Sequence, residues 1–518
     1  MNRTKYIDAN LMRKREWLVF SIILTLGIFL RFYKFDSIPF GLNHDSGLFG
    51  LVAIDLWQRL PSYTPFYAGW VGETMYHYIL GIYFFLFGIS PTTLKFASLS
   101  IGIALLPVFY LLAKKLQGSF VALGSLFFLA ISGWHIIMSK AGWSVILVPV
   151  FQCISFILFY DALKKGKTYI WILAGSMIGL TLYTYGASRI TPLIATILSI
   201  GWIFANKVIT RSLIKNIFLL ILSCFITIIP LLNFAINDWD TYTSRMRFLS
   251  ITNGVQQEGI IRPIVNNIIT SLKMLHVRAN GDDFFVNEPL LEMIPGFLFI
   301  IGFFSLLFSI RKFESLFVMV WLLTGFLPGI ISVPNGNHNF SILAPVYLII
   351  GRGISVIPSI FSRFSKQLSL LGHVIICLLL FVSVAELYKQ YFSQNRHEFF
   401  GFYPETTIVA NYMRENSNLY NFYLTDNYPR DALTFITYNG GNPFQKHYQW
   451  LERGIDFLNV ENTSGKGLMF FMLANNQNEI LASQLLNKFP KSEEFYLWYS
   501  DNNILRKASL VVRVPPQK

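Results

Sequence analysis

The sequence predicts an α-helical polytopic membrane protein of about eleven spans, with a small α/β domain at its C-terminal end. Of the 518 residues, 53% are hydrophobic and only 14% are charged, which excludes an ordinary soluble protein. Uncharged stretches of about 20 residues recur through the first three quarters of the chain, and each could cross a hydrocarbon core of roughly 30 Å as a helix.

The formal net charge of +14 could suggest a nucleic-acid partner. The basic residues, however, lie in short clusters between apolar segments, so membrane topology accounts for them better and we expect no nucleic acid to bind. The three cysteines all lie inside apolar runs and imply neither a disulfide nor a metal framework.

The first predicted span is Trp17 to Leu30. It follows a basic segment and has no small-residue cleavage site after it, so we expect it to remain uncleaved. The other ten spans are predicted near 94–113, 116–138, 142–162, 168–185, 189–206, 216–236, 292–310, 314–333, 340–360 and 368–386.

The positions of Lys and Arg between the spans predict the orientation. Basic clusters mark alternate connections and the short connections between them are nearly free of charge, which by the positive-inside rule puts the N-terminus in the cytoplasm. The clusters are Lys114 and Lys115; Lys164, Lys165 and Lys167; Lys207, Arg211 and Lys215; Arg311 and Lys312; and Arg363 and Lys366. A location in the plasma or inner membrane is expected.

Two long outer loops follow from this orientation, near 31–93 and 237–291. The uncharged run at 74–90 could cross the membrane, but counting it would reverse the charge asymmetry of every later segment. We therefore predict an interfacial or re-entrant helix there.

Residues 1–389 form the predicted membrane domain, and residues 390–518 turn polar and mixed. Periodicity in this second part predicts helices at 405–414 and 479–489 and strands at 422–425, 468–473 and 495–499. The tail is therefore a predicted extracytoplasmic α/β domain. It contains no GxGxxG, P-loop or HExxH motif.

The first outer loop contains the carboxylate of greatest interest. His44 and Asp45 are polar residues between apolar stretches in the loop that runs from Pro39 to Gly50. Asp45 could cap a helix that starts near Ser46, and a fixed carboxylate could also act as a general base. Both roles can hold together.

These residues resemble a known pattern. The Pro-x-Gly-Leu-x-x-Asp core from Pro39 to Asp45, the Tyr-rich stretch ending at Leu86-Phe-Gly88 and a span that closes in Lys114-Lys115 are similar to the GT-C superfamily of polyprenyl-phosphate-sugar-dependent glycosyltransferases. That superfamily includes glycosyltransferase family 39, the protein O-mannosyltransferases and the aminoarabinose transferases. The resemblance covers about residues 10–390. It implies that Asp45 is the catalytic base.

Two features depart from the family pattern. Many relatives have Asp-Glu in the first loop, where this chain has Asp45-Ser46. Many also have prolines ahead of the Tyr-rich helix, where this chain reads Gly72-Glu-Thr-Met-Tyr-His77.

A lipid-linked sugar phosphate also needs cations near its phosphate. Lys140 and Arg189 are isolated cations in short outer hairpins and are candidates for this role, as is His338 in the outer Pro334 to Asn339 segment. Lys140 and Arg189 could instead be snorkelling anchors, and His338 could be ordinary loop polarity.

Further polar residues are candidates for substrate binding: His44, Glu73, His77, Asp282 and Asp283. Asp282 and Asp283 could bind a divalent cation together or form a turn beside Gly281. Glu73 and His77 are four residues apart and would share a helix face, but two ligands are too few to predict a metal site.

The leading hypothesis is an inverting glycosyltransferase that moves a sugar from a polyprenyl-phosphate donor to a hydroxyl acceptor on the outer face. The acceptor could be a protein, a lipid or a glycan. A transporter or lipid flippase would also explain many spans, although such proteins usually carry ionisable residues or broken helices at the membrane midplane. A receptor-like protein would need far fewer spans.

Overall fold

The structure is a computed structural model. It describes residues 2–516 except for positions 70, 208, 255–258, 280–288, 394–400, 426–427, 452, 463–464 and 502–503. Its N-terminal three quarters are helical and its C-terminal part contains a β-sheet, as the sequence predicts.

Each predicted apolar span is largely helical in the structure, and further helices lie within the two predicted outer loops. In chain order they are α1 (Asn2–Phe32), α2 (His44–Gln58), α3 (Met75–Phe87), α4 (Pro91–Gln117), α5 (Ser119–Ala130), α6 (Gly133–Lys140), α7 (Leu147–Lys165), α8 (Thr168–Thr181), α9 (Thr191–Asn206), α10 (Arg211–Asn237), α11 (Trp239–Leu249), α12 (Ile261–His276), α13 (Met293–Phe308), α14 (Phe313–Gly325), α15 (Leu327–Ile331), α16 (Leu343–Ser362) and α17 (Lys366–Leu387).

Seven helical segments among the described residues are long and apolar enough to cross a membrane, and α5 with α6, bent by 56°, would make an eighth. The chain is therefore an integral membrane protein. The predicted number of eleven is larger, because it counts α1 and the apolar helices α8 and α13, which have 14 and 16 residues. A regular span needs about 20 residues, so that number stays a prediction.

The run at 74–90 forms α3, a helix of only 13 residues. At 1.5 Å per residue it is about 20 Å long, which is shorter than the hydrocarbon core. Its first two turns are buried and its last turn exposes Phe85, Leu86 and Phe87. This geometry is consistent with the predicted helix that does not cross the membrane.

Basic residues between the spans form ion pairs that join neighbouring helices. Lys114 pairs with Glu16 of α1, Lys115 with Asp161 of α7 at 2.6 Å, and Lys164 with Glu314 of α14 at 3.0 Å. Such pairs contribute about 0–1 kcal/mol each when solvated. The clusters that predicted orientation thus also help to align the helix ends.

Helices α13 and α16 pack with their backbones in close contact. A Cβ atom at Gly302 would lie 1.9 Å from the carbonyl oxygen of Ile349, and one at Gly353 would lie 2.1 Å from that of Leu298. Small residues that allow such an approach are typical of helix pairs in membranes, where van der Waals contact drives association.

The C-terminal part contains a five-stranded mixed sheet. Its strands are β5 (Tyr420–Thr425), β6 (Gln449–Leu451), β7 (Gly467–Met472), β8 (Glu493–Asp501) and β9 (Ile504–Val514), in the order β6-β5-β7-β9-β8. Strands β6, β5 and β7 are parallel, and β9 is antiparallel to β7 and β8. The accompanying helices are α18 (Pro404–Glu415), α19 (Arg430–Thr437) and α20 (Asn476–Lys488).

Helix α19 and the strands β6 and β9 of the sheet were not predicted. Helix α19 has only 8 residues and β6 only 3, too few for a clear periodic pattern. Strand β9 alternates poorly because Leu510, Val511 and Val512 are all buried, as expected for a strand covered on both faces.

The C-terminal part packs directly on the first of the two long predicted outer loops. Strand β1 (Leu42–Asn43) pairs with β4 (Phe402–Tyr403), and α2 lies along α19. Gly47 is so close to α19 that a Cβ there would lie 2.5 Å from the Cα of Ala432. Helix α2, which carries Asp45 in its first turn, is therefore fixed between the membrane part and the C-terminal sheet.

The close approach of α13 and α16 leads to a test of stability. On helix propensity alone, Gly353→Ala would stabilise α16 by up to about 1 kcal/mol. Because the new Cβ would meet backbone, we instead expect a loss of about 1–3 kcal/mol, measured as thermal unfolding in detergent. Gly186→Ala is the control, since no atom lies within 4 Å of a Cβ at Gly186. A Gly353→Ala protein as stable as this control would contradict the packing.

Candidate active site

The N-terminus of α2 positions Asp45. The helix begins at His44, and its cap is Asn43, whose side-chain oxygen accepts a hydrogen bond from the Asp45 amide at 2.8 Å. The expectation that Asp45 itself is the cap is therefore wrong, because the helix starts two residues earlier than predicted. Asp45 lies in the first turn, where its carboxylate is left to face a cleft.

Asn43 is buried and has two further contacts. Its amide nitrogen donates to the carbonyl of Gly401 at 2.7 Å, and its side-chain oxygen accepts from the indole nitrogen of Trp143 at 3.3 Å. One side chain thus joins α2, the start of the C-terminal part and the segment after α6.

The cleft beside Asp45 has a volume of about 170 Å³. Residues from both predicted outer loops and from three short connections between helices meet there, although they are far apart in the sequence. The lining residues are Asp45, Phe49, Trp143, Ser144, Val145, Tyr185, Arg245, Leu249, Val333, Asn335, Asn337 and His338.

The surroundings of Asp45 alter its acidity. Burial raises the pKa of Asp45 above its usual range, and the nearby carboxylate of Asp431 acts in the same direction, whereas His44 and Arg245 oppose the rise. A carboxyl group with a raised pKa is a better proton acceptor near neutral pH. The cleft therefore contains a carboxylate suited to general-base chemistry.

Arg245, which is not among the residues predicted for the site, is the cation of this cleft. It lies on α11, its guanidinium donates to the hydroxyl of Tyr185 at 3.3 Å, and it stacks on the Tyr185 ring at 5.3 Å. A signal was present in the sequence: Arg245 and Arg247 fall in a predicted outer loop, where the positive-inside rule disfavours basic residues.

His338 lines the cleft as a neutral side chain. Burial lowers the pKa of His338 to about 4, Arg245 acts in the same direction, and a hydrogen bond to the carbonyl of Val333 opposes the fall. Nδ1 lies 2.7 Å from that carbonyl, so it donates and leaves Nε2 as an acceptor. His338 at neutral pH thus offers a hydrogen-bond acceptor rather than the positive charge predicted for a phosphate ligand.

Arg189 forms an ion pair instead of lining the cleft. Its guanidinium donates to Glu73, which is 3% exposed, at 2.7 Å, and stacks on the Tyr242 ring at 4.7 Å. It also contacts the sulfur of Met246 at 2.6 Å. Since Tyr242 and Met246 belong to α11, the structure gives Arg189 a role in positioning the helix that carries Arg245.

Lys140 is fully buried and lies outside the cleft lining. Its ammonium donates to the carbonyls of Tyr33 at 2.9 Å and Ile38 at 3.2 Å. A second buried lysine, Lys95, donates from its ammonium to the carbonyl of Pro39 at 3.0 Å. Neither predicted role for Lys140, phosphate ligand or snorkelling anchor, fits this geometry. The structure shows both lysines holding the loop that leads to Asp45.

The remaining candidates differ in their placement. His44 is half exposed and lies 3.3 Å from Asp431 of α19. His77 is fully buried, edge-on to Phe49 at 5.0 Å. Glu73 belongs to β3 (Gly72–Glu73), whereas α3 starts at Met75, so the expected shared helix face of Glu73 and His77 is wrong.

Asp282 and Asp283 lie outside the described residues, so their role stays a prediction. Within the part of the chain that the structure describes, no three His, Cys, Asp or Glu side chains could hold a metal ion together.

Comparison with known proteins places this architecture in a class. No protein-family model and no curated protein matches the sequence. Solved structures do match: the oligosaccharyltransferase of Archaeoglobus fulgidus has a TM-score of 0.58 at 14% identity, over 95% of this chain and 74% of that chain. A second structure of an oligosaccharyltransferase from this organism, AglB in complex with an inhibitory peptide and a dolichol-phosphate, has a TM-score of 0.58 at 13% identity, over 96% of this chain and 74% of that chain.

ArnT from Cupriavidus metallidurans, bound to undecaprenyl phosphate, matches with a TM-score of 0.56 at 11% identity, over 96% of this chain and 98% of that chain. These neighbours are GT-C glycosyltransferases. The fold class implied by the resemblance of the first outer loop is therefore confirmed: the chain has the GT-C fold.

The role of Asn43 leads to a test. Asn43→Ala removes the cap and two further hydrogen bonds, and we expect it to destabilise the protein by about 1–2 kcal/mol, measured by thermal unfolding in detergent. Asn43→Ser keeps a capping oxygen but loses the reach to Gly401, so it should retain part of that stability. Unfolding of Asn43→Ala at the wild-type temperature would contradict the assigned contacts.

Proposed function

We propose that the chain is an inverting glycosyltransferase that moves a sugar from a polyprenyl-phosphate donor to a hydroxyl acceptor on the outer face of the cell membrane. The observation that carries the proposal is the presence of Asp45 and Arg245 in one cleft of a GT-C fold. A base and a cation are the two groups that this reaction requires.

The proposed step follows from these groups. The carboxylate of Asp45 accepts the proton of the acceptor hydroxyl, and the hydroxyl oxygen attacks the anomeric carbon from the face opposite the phosphate. The new glycosidic bond forms as the bond between anomeric carbon and phosphate oxygen breaks. The polyprenyl phosphate leaves with the bonding electrons, and its developing charge is stabilised by the guanidinium of Arg245.

Other cleft residues support the same reaction. Neutral His338 can accept a hydrogen bond from a sugar hydroxyl through Nε2. Trp143 and Phe49 give the cleft apolar walls that exclude water and strengthen the electrostatic interactions inside it. Arg189 and Glu73 contribute indirectly, because they hold α11, which carries Arg245, in place.

Lipid phosphates bound to GT-C neighbours support the donor class. One neighbour is described with a dolichol-phosphate and another with undecaprenyl phosphate. We therefore propose a polyprenyl-phosphate-linked sugar as donor for this chain. A glycan, lipid or protein hydroxyl is the proposed acceptor.

Transfer of labelled sugar from a polyprenyl-phosphate donor by the purified protein tests the proposal. Asp45→Asn keeps the shape of the side chain and removes the proton acceptor, so we expect activity to fall at least about 10²-fold. Undiminished transfer would exclude Asp45 as the base. Translocation of the donor across liposomes with no covalent product would support a transporter instead.

Arg245→Gln tests the cation. We expect a loss of about 10²–10³-fold in kcat, because charge on the leaving phosphate is no longer balanced. Arg245 also lowers the pKa of Asp45, so its removal should raise that pKa and move the acid limb of the activity profile to higher pH. Arg247→Gln, two residues away and paired with Asp240, is the matched control and should leave both unchanged. Equal effects of the two changes would contradict a specific role for Arg245.

A further inference from the structure

A second cavity lies in the C-terminal part, with a volume of about 300 Å³. The residues that matter for its chemistry are Arg414, Asn418, Tyr420, Asn439, His447 and Lys466. None of them takes part in the proposed catalytic step.

The sheet topology explains why these residues meet. Strands β6, β5 and β7 are parallel neighbours, so they begin at the same edge. His447 precedes β6 by two residues, Tyr420 is the first residue of β5, and Lys466 directly precedes β7. Helix α18 ends nearby and contributes Arg414. The starting edge of the parallel strands thus gathers three basic side chains.

The charge of this cavity is positive. Its described lining contains Arg414, Lys466 and His447 and no carboxylate. Lys466 donates to the carbonyl of Ser417 at 3.4 Å and Arg414 to the side-chain oxygen of Asn411 at 3.3 Å. Both acceptors are uncharged, so neither hydrogen bond neutralises its cation.

One polar atom of the cavity has an unmet hydrogen-bonding capacity. Nε2 of His447 is buried, and among the described residues no partner lies within hydrogen-bond distance. Buried polar atoms in proteins nearly always have a partner. A bound polar ligand would supply one here.

The other lining groups suit a sugar ring. Asn418 and Asn439 present amides, which both donate and accept hydrogen bonds. The Tyr420 ring packs on Gly467, where a Cβ would lie 2.5 Å from the ring carbons, so the glycine leaves room for the ring. An aromatic ring beside amides can contact both the apolar face and the hydroxyls of a saccharide.

This cavity is separate from the catalytic cleft. Helix α2 contacts the C-terminal part at both ends: His44 at its start pairs with Asp431, and Gln58 at its end donates to the carbonyl of Gly441 at 3.0 Å. Asn439 of the cavity is two residues from Gly441. The linings of the cavity and of the cleft have no residue in common.

We propose that this cavity binds an acidic saccharide, a sugar that carries a carboxylate, as a part of the acceptor remote from the reacting hydroxyl. The acceptor assignment rests on the proposed glycosyltransferase function, whereas the binding site stands on the cavity alone. Binding energy from such a remote part can serve to orient the reacting group.

Calorimetric titration of the full-length protein in detergent tests the site, with tri-galacturonic acid as the probe. We expect saturable binding that Arg414→Gln with Lys466→Gln weakens at least tenfold, since each change removes a charge-assisted hydrogen bond. Lys491→Gln, an exposed lysine of the same part of the chain, is the matched control and should bind as the wild type does. Thermal unfolding of each variant verifies that it is folded.

Two comparison ligands decide the chemical class. Maltotriose, an uncharged trisaccharide, should not bind at concentrations at which tri-galacturonic acid saturates the site. Inorganic phosphate should compete only weakly with tri-galacturonic acid. Three results would each overturn the proposal. Maltotriose could bind as tightly as tri-galacturonic acid, phosphate could bind where tri-galacturonic acid does not, or the double variant could bind tri-galacturonic acid with wild-type affinity.

Asp45→Asn separates this inference from the proposed function. The variant should bind tri-galacturonic acid with wild-type affinity. If the wild-type protein binds tri-galacturonic acid but transfers no sugar, the proposed function and the acceptor assignment are contradicted and the binding site is supported. If it transfers sugar but does not bind tri-galacturonic acid, only the binding site is contradicted.

Discussion

The position of the proposed base depends on the side chain of Asn43. It caps α2, accepts a hydrogen bond from Trp143 and donates to Gly401, so it connects the catalytic helix to both the membrane part and the C-terminal part. An unmade hydrogen bond at a buried site costs about 1–3 kcal/mol. All three contacts therefore favour a single placement of α2, and with it a single direction for Asp45.

Buried cations fix the loop that leads to this point. Lys95 and Lys140 are both buried, and their ammonium groups donate to backbone carbonyls between Tyr33 and Pro39. Burial of a charge is unfavourable unless hydrogen bonds compensate for it, so these lysines stay in place only while the loop keeps its shape. The loop and the lysines thus order each other. A preordered loop suits a reaction that depends on fixed charges.

The C-terminal part supports the site as well as adding a cavity of its own. Its helix α19 lies against α2, and Asp431 raises the pKa of Asp45. The predicted α/β character of this region is confirmed, although α19 itself was not predicted. A short helix such as α19 is stabilised mainly by the surface on which it packs, here the face of α2 that contains Gly47. Its own eight residues are too few to predict a helix from the sequence.

Hydropathy, periodicity and charge order are local properties, so the sequence alone determined the helical segments and part of the C-terminal sheet. The resemblance to GT-C transferases came from the motif that ends at Asp45. Only the tertiary structure decided which cation joins that carboxylate. Arg189 and Lys140 were equally reasonable from their positions at span ends, yet Glu73 neutralises the first and backbone carbonyls enclose the second. Arg245 reaches the cleft because α11 folds back over it, 200 residues along the chain. Contacts between such distant segments depend on packing, which no local pattern records.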